Sequence, residues 1–184
     1  MLISQKLRES NISEYLLYMW QMEDLIRAAN CDVDTLSSWI IDKSEIEDDL
    51  KREWRGWFSN LIEMMLSEEK RLSGHLQINE NVMINLSELH VKLLNSSVAE
   101  LYKEQYYKSL PFIVEFRKKR GRVDSGELYD CFDMMYGVLM LRLQKREITD
   151  VTLQASQSVS ALLSQLSEYY KRWRCGELEE IENA

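Results

Sequence analysis

Little in this sequence punctuates the chain. Six glycines and one proline, Pro111, are spread over 184 residues, too few for the tight turns that a sheet protein needs between strands. Cysteine is scarce too. Cys31, Cys131 and Cys175 are odd in number, far apart and never in a C-x-x-C pair, which argues against a disulfide framework or a zinc site and fits a reducing cytoplasm. His75 and His90 are the only two histidines, and no carboxylate stands three or four residues from either. The Glu-x-x-His pairs of a di-metal carboxylate bundle are therefore missing, and no metal is expected. The longest nearly apolar run, residues 131–141, is interrupted by Asp133 and falls well short of the roughly 20 residues of a membrane span. The first ten residues, MLISQKLRES, lack the apolar core of a secretory signal. A net charge of −8 argues against general affinity for nucleic acid or an anionic membrane.

What is present favours helices. Leu, Glu, Lys, Arg, Gln and Met are abundant and all are good helix formers. The expected fold is all-α, a single-domain bundle of about six or seven helices with short connections. The length suits one domain over residues 1–184, with 1–10 and 177–184 expected to fray.

The organising stretch runs over residues 44–95. Ser44-x-x-Glu47 has the form of a capping box. From there Ile46, Leu50, Trp54, Trp57, Leu61, Met64, Met65 and Leu72 recur at helical steps, and Gly74 supplies a stop. A second arm carries Leu76, Val82, Leu86, Leu89 and Leu93, with His75 and His90 along it. Gly56, inside the first arm, costs about 1 kcal/mol relative to alanine and suggests either a close helix crossing or a local bend.

Before this hairpin, Asn11 with Glu14 caps a helix over 12–30 whose inward stripe is Ile12, Leu16, Met19 and Ile26, flanked by Tyr15, Trp20 and Met22. Glu23 falls near that stripe with Arg27 four residues on, either as a surface ion pair or as an inward carboxylate of a polar pocket. A short amphipathic piece over 35–42 follows, with Asp34 as its cap. After the hairpin, Val98, Leu101, Tyr102, Tyr106, Phe112, Ile113 and Phe116 mark a helix that Pro111 should kink or split near Leu110. It ends in Arg117-Lys118-Lys119-Arg120-Gly121-Arg122. Asp124-x-x-Glu127 opens a helix apolar on almost every side, the pattern of a central bundle element, so that Asp133 within it needs a partner or a polar gap. The last helix starts near Thr149. Its seam of Ala155, Val159, Leu162, Leu166, Tyr169 and Trp173 has a period of about 3.5 residues, which serves bundle packing or a coiled-coil dimer, and Gly176 ends it.

No catalytic motif emerges. Gly121-Arg-Val-Asp-Ser-Gly126 has P-loop glycine spacing, but Glu127-Leu128 stand where Lys and Ser/Thr are required. There is no G-x-S-x-G and no Rossmann glycine run, and no cofactor is expected. Basic clusters near helix C-termini and acidic ones at helix starts are accounted for by the helix dipole.

The strings Asn11-Ile-Ser-Glu-Tyr-Leu-Leu-Tyr-Met-Trp-Gln-Met-Glu-Asp-Leu-Ile-Arg27, Ser73-Gly-His-Leu-Gln77, Glu88-Leu-His90 and Leu110-Pro-Phe-Ile-Val-Glu-Phe-Arg117 together resemble an uncharacterised domain-of-unknown-function family of short all-helical bacterial proteins. The resemblance implies a single bacterial cytoplasmic domain and carries no activity to transfer. The expected role is non-enzymatic, self-association or binding of a protein partner. The alternative is a polar pocket for a small anionic ligand, drawn from Glu23, Arg27, His75, His90, Arg117 and Asp133. Nucleic-acid contact through residues 117–122 ranks below both.

Overall fold

The computed structural model describes residues 3–121 and 126–178. Among these there are eight α-helices and no strand: α1 (Ile3–Ser10), α2 (Ile12–Ala28), α3 (Val33–Leu36), α4 (Asp48–Ser67), α5 (Gln77–Asn95), α6 (Glu100–Arg120), α7 (Glu127–Leu143) and α8 (Asp150–Arg174). A π-helical turn, Ser37–Ile41, continues directly from α3. The all-α expectation holds, and the expected count of six or seven falls short by α1. That segment is helical, and the Asn11 N–H closes onto the Leu7 carbonyl at its end. At the other end Leu178 is buried, while residues 179–184 and the expected Asp124 helix start lie outside the described residues. No described helix is long and apolar enough to cross a membrane.

The chain sorts into two compact units. The first takes in residues 3–6 and 18–82, the second residues 7–17 and the described part of 83–178.

In the first unit, α4 buries Phe58, Leu61, Ile62 and Met65, the three- and four-residue steps of one helical face. Its ends differ from the sequence reading. Ser44 donates its hydroxyl to the Ile41 carbonyl at 2.5 Å, at the end of the π-helical turn, so the capping box does not form and α4 starts later, with Glu47 as its N-cap. At the far end α4 stops at Ser67 rather than Leu72. Glu69 takes the left-handed conformation (φ 57°), and the Lys70 and Glu69 N–H groups donate to the Met65 and Leu66 carbonyls, the two bonds of a Schellman stop. Leu72, expected on the buried stripe, is 88% exposed as a result. The short helix α3 is capped by Asp32, whose carboxylate accepts from the Thr35 N–H at 2.6 Å. Asp34, the expected cap, pairs with Arg55 instead.

In the second unit α6, α7 and α8 pack on one another. The seam of α8 faces inward, with Val159, Leu162 and Leu166 fully buried, each side chain contributing on the order of 1.5–3 kcal/mol relative to exposure. Serines occupy the close crossings. Ser109 on α6 meets Ser158 on α8 (Oγ···Oγ 2.9 Å), and Ser13 on α2 meets Ser167 on α8 (2.7 Å). Asn11 caps α2 through the Ser13 and Glu14 N–H groups, as the sequence indicates, and Thr149, near the expected start of the last helix, caps α8 through the Thr152 N–H. Pro111 does not split α6, which runs unbroken from Glu100 to Arg120.

Gly56 faces solvent, and a Cβ built there meets nothing within 4 Å. No helix crosses closely at that point, so the expectation of a close approach fails. With neither strain nor crowding at the site, Gly56→Ala is expected to raise stability by about 1 kcal/mol, read as a higher urea midpoint at unchanged slope.

Candidate functional site

The six residues singled out from sequence divide into three groups. Glu23 and His75 meet in the first unit. Glu23 sits among Met19, Trp20, Met22 and Ile26 on the buried face of α2 and is itself 0% exposed. A carboxylate so enclosed must find donors. Its Oε1 accepts from the Leu76 N–H at 3.0 Å and the Asn79 amide at 2.7 Å, and its Oε2 lies 2.6 Å from His75 Nδ1. Leu76 directly precedes α5 and Asn79 is in its first turn, so Glu23 acts as a cap delivered to α5 from another helix. The His75 ring lies flat on the Trp20 indole, with centroids 4.1 Å apart and planes 13° apart.

The connection between α4 and α5 brings His75 to this place. Gly74 has φ +83°, and a Cβ there would approach the Lys70 Cδ to 3.4 Å. Arg27, one turn beyond Glu23, does not pair with it. Its Nη1 binds Asp24 at 2.8 Å, its Nε donates to the Lys70 carbonyl at 3.2 Å, and its Nη2 donates to the Gly74 carbonyl. The expected Glu23–Arg27 pair is replaced because three donors already satisfy Glu23, while the connection offers Arg27 open carbonyls. Arg71 adds a bond to the Asn30 side chain at 2.7 Å, and Glu68 accepts from the Gln77 N–H at 2.6 Å.

His90 lies in the second unit, with a different chemistry. It is 6% exposed, its Nδ1 is 2.6 Å from the Tyr102 hydroxyl, and its Nε2 is buried without a partner. Burial pushes the imidazole down from 6.5 to about 4 and pushes the Tyr102 hydroxyl up. Tyr106, edge-on to the same imidazole, donates to Glu127 at 3.0 Å and is raised to about 12 by burial and then by that carboxylate. Burial also raises the Cys131 thiol, assisted by the charges of Glu127 and Asp130. A thiol held protonated is a poor nucleophile, so cysteine–histidine chemistry is not supported here.

Arg117 and Asp133 form the third group, also in the second unit, and both are engaged. Arg117 Nε binds Asp130 at 2.6 Å, and Arg120 binds Asp133 while standing 3.6 Å from Asp130. The sequence reading marked Asp133 as the carboxylate needing explanation. The fully buried one is Asp130. Arg117 and Arg120 are thus part of internal ion pairs, and Arg122 lies outside the described residues. Trp20 and Tyr102 stood in the sequence only as apolar positions, and Asn79 and Asp130 were not singled out. Trp20 had a signal: it stands three residues before Glu23 on α2, a spacing that shares a helical face.

No group of three or more His, Cys, Asp or Glu among the described residues is placed to hold a metal ion. The His90 environment has a measurable consequence. Between pH 6.5 and about 4 the unfolded chain takes up a proton on this ring that the folded chain refuses, so stability falls as pH falls through that window. The loss due to His90 is about 2–3 kcal/mol on reaching pH 4.5. His90→Gln, which keeps a partner for Tyr102, is expected to show a correspondingly shallower fall in urea midpoint between pH 7 and 4.5.

No curated protein matches this chain, and no solved structure does. A family model does match, over residues 1–177. The chain therefore belongs to the family described as "Domain of unknown function (DUF4924)".

Proposed function

We propose that this protein is a non-enzymatic binding module, working in the reducing cytoplasm of a bacterium, that takes an amphipathic segment of another protein into a groove of its second unit. The observation that carries this reading is the groove itself, about 240 Å³, between α6, α7 and α8. Phe112, Phe116, Met134, Val138, Leu141 and Val151 line it, with Glu115 and Lys119 at its edge. Val151 is 59% exposed. Apolar surface of this kind, rimmed by charge, suits helix-in-groove recognition.

A partner protein is favoured over a second copy for two reasons. The centre of the α8 seam, Val159, Leu162 and Leu166, is already covered within the unit, and a net charge of −8 sets like copies against one another. The small-anion pocket has less support, because Arg27 is occupied by Asp24 and two carbonyls, and Arg117 and Asp133 are held by Asp130 and Arg120. Nucleic acid has less still, since Arg117 and Arg120 are held by Asp130 and Asp133. The three free cysteines suit a reducing compartment.

Gly137 borders the groove, and a Cβ there meets nothing within 4 Å, so Gly137→Phe fills the groove without disturbing the core. A photo-crosslinking residue at position 151 in cells is expected to give a discrete heterologous adduct that Gly137→Phe abolishes, whereas the same residue at position 56 gives none. Adducts that persist in Gly137→Phe, or adducts only with a second copy of this chain, would refute the reading.

A further inference from the structure

Of the two imidazoles, His75 alone reaches solvent: its side chain is 27% exposed, against 6% for His90 as a whole residue. Its geometry is more constrained than a cap for α5 requires. Nδ1 is directed onto the Glu23 carboxylate, and one ring face lies against Trp20, so the ring cannot turn to present Nδ1 outward. With the proton on Nδ1 donated to Glu23, the neutral ring carries its lone pair on Nε2. A buried carboxylate that fixes the tautomer and stabilises developing charge on the imidazole is the arrangement that makes Nε2 a base or nucleophile.

Three cations stand on, or are bonded to, the connection that carries it. The Lys70 Nζ stands 3.5 Å from where a Cβ on Gly74, the residue before His75, would lie, and Lys70 makes no ion pair among the described residues. Arg27 is bonded to the Gly74 carbonyl, and Arg71 belongs to the same connection. Of the nearby acids, Asp24 is paired with Arg27 and Glu68 is bonded to the Gln77 N–H.

We propose that His75 Nε2 is a phosphoryl-acceptor site. Nε2 attacks the phosphorus of an N-phosphoryl or acyl-phosphate donor, the donor's P–N or P–O bond breaks, and the leaving group departs with that electron pair. The Nδ1 proton stays in its bond to Glu23, whose charge balances the phosphorylated ring. Glu23 is a positioning residue in this step, and Lys70 offsets the phosphoryl charge. This site is independent of the groove in the second unit and stands or falls without it.

The test uses the full chain and potassium phosphoramidate, with ammonia as the leaving group, followed by mass spectrometry and phosphorus NMR. Expected are a single phosphate on His75 through Nε2, formed faster in the folded chain than in urea, and His90 modified only after unfolding. Nitrogen NMR of the wild type is expected to show the Nδ1–H tautomer. In Glu23→Gln the side-chain amide donates to Nδ1, the proton moves to Nε2, and the rate falls to that of the unfolded chain or below. Should Glu23→Gln not fold, the wild-type tautomer and the folded-to-unfolded rate ratio decide alone. Attachment at Nδ1, an Nε2–H tautomer in the wild type, or a rate no faster folded than in urea would each overturn the proposal and leave His75 and Glu23 as a helix cap only.

Discussion

A carboxylate removed from water is several kcal/mol out of balance until donors surround it, and Glu23 is the place where the first unit meets that demand. The side chain is 0% exposed, and its donors come from a connection and a helix start some fifty residues further along the chain. To bring them there, α4 must stop at Ser67, the chain must reverse through Glu69 and Gly74, and α5 must begin just after Leu76 beside α2. Arg27 then closes the carbonyls of that connection. The features that look separate in the sequence, a lone acidic residue, a glycine, a histidine and an arginine, answer one electrostatic requirement.

The second unit meets its polar demands differently. Asp130 is buried against Arg117, with Arg120 nearby, so charge is met by charge. His90 is instead kept neutral, its ring bonded to Tyr102 and its pKa depressed by burial. The two histidines therefore hold opposite positions: one sits beside a carboxylate with an edge in solvent, the other is sealed among tyrosines. The first keeps part of its ring in solvent, and burial of the second makes stability fall in mild acid.

Much of the helical plan was legible because it depends on local spacing. The inward residues of α2 and α8 and the buried positions Leu76, Val82, Leu86, Leu89 and Leu93 of the hairpin's second arm follow from three- and four-residue steps, and the Asn11 cap follows from residue type and position. Where the reading failed, a local preference met a competing partner. Ser44 found the Ile41 carbonyl instead of the start of α4. Glu69, not Gly74, adopted the left-handed turn that ends α4, leaving Leu72 in solvent. Gly56 marked no crossing at all.

By itself the sequence determined that the chain is helical, where most helices lie, and that Glu23 and the two histidines stand close to apolar faces, because periodicity and side-chain chemistry are properties of neighbours a turn or two apart. Only the tertiary structure decided that Glu23 takes His75 and not Arg27, that Asp130 and not Asp133 is enclosed, and that the α8 seam is consumed in internal packing. Each of those outcomes is a choice among donors, acceptors or surfaces distant in the chain. Such a choice is settled by which of them arrive within about 3 Å of one another, a distance that no spacing along the sequence encodes.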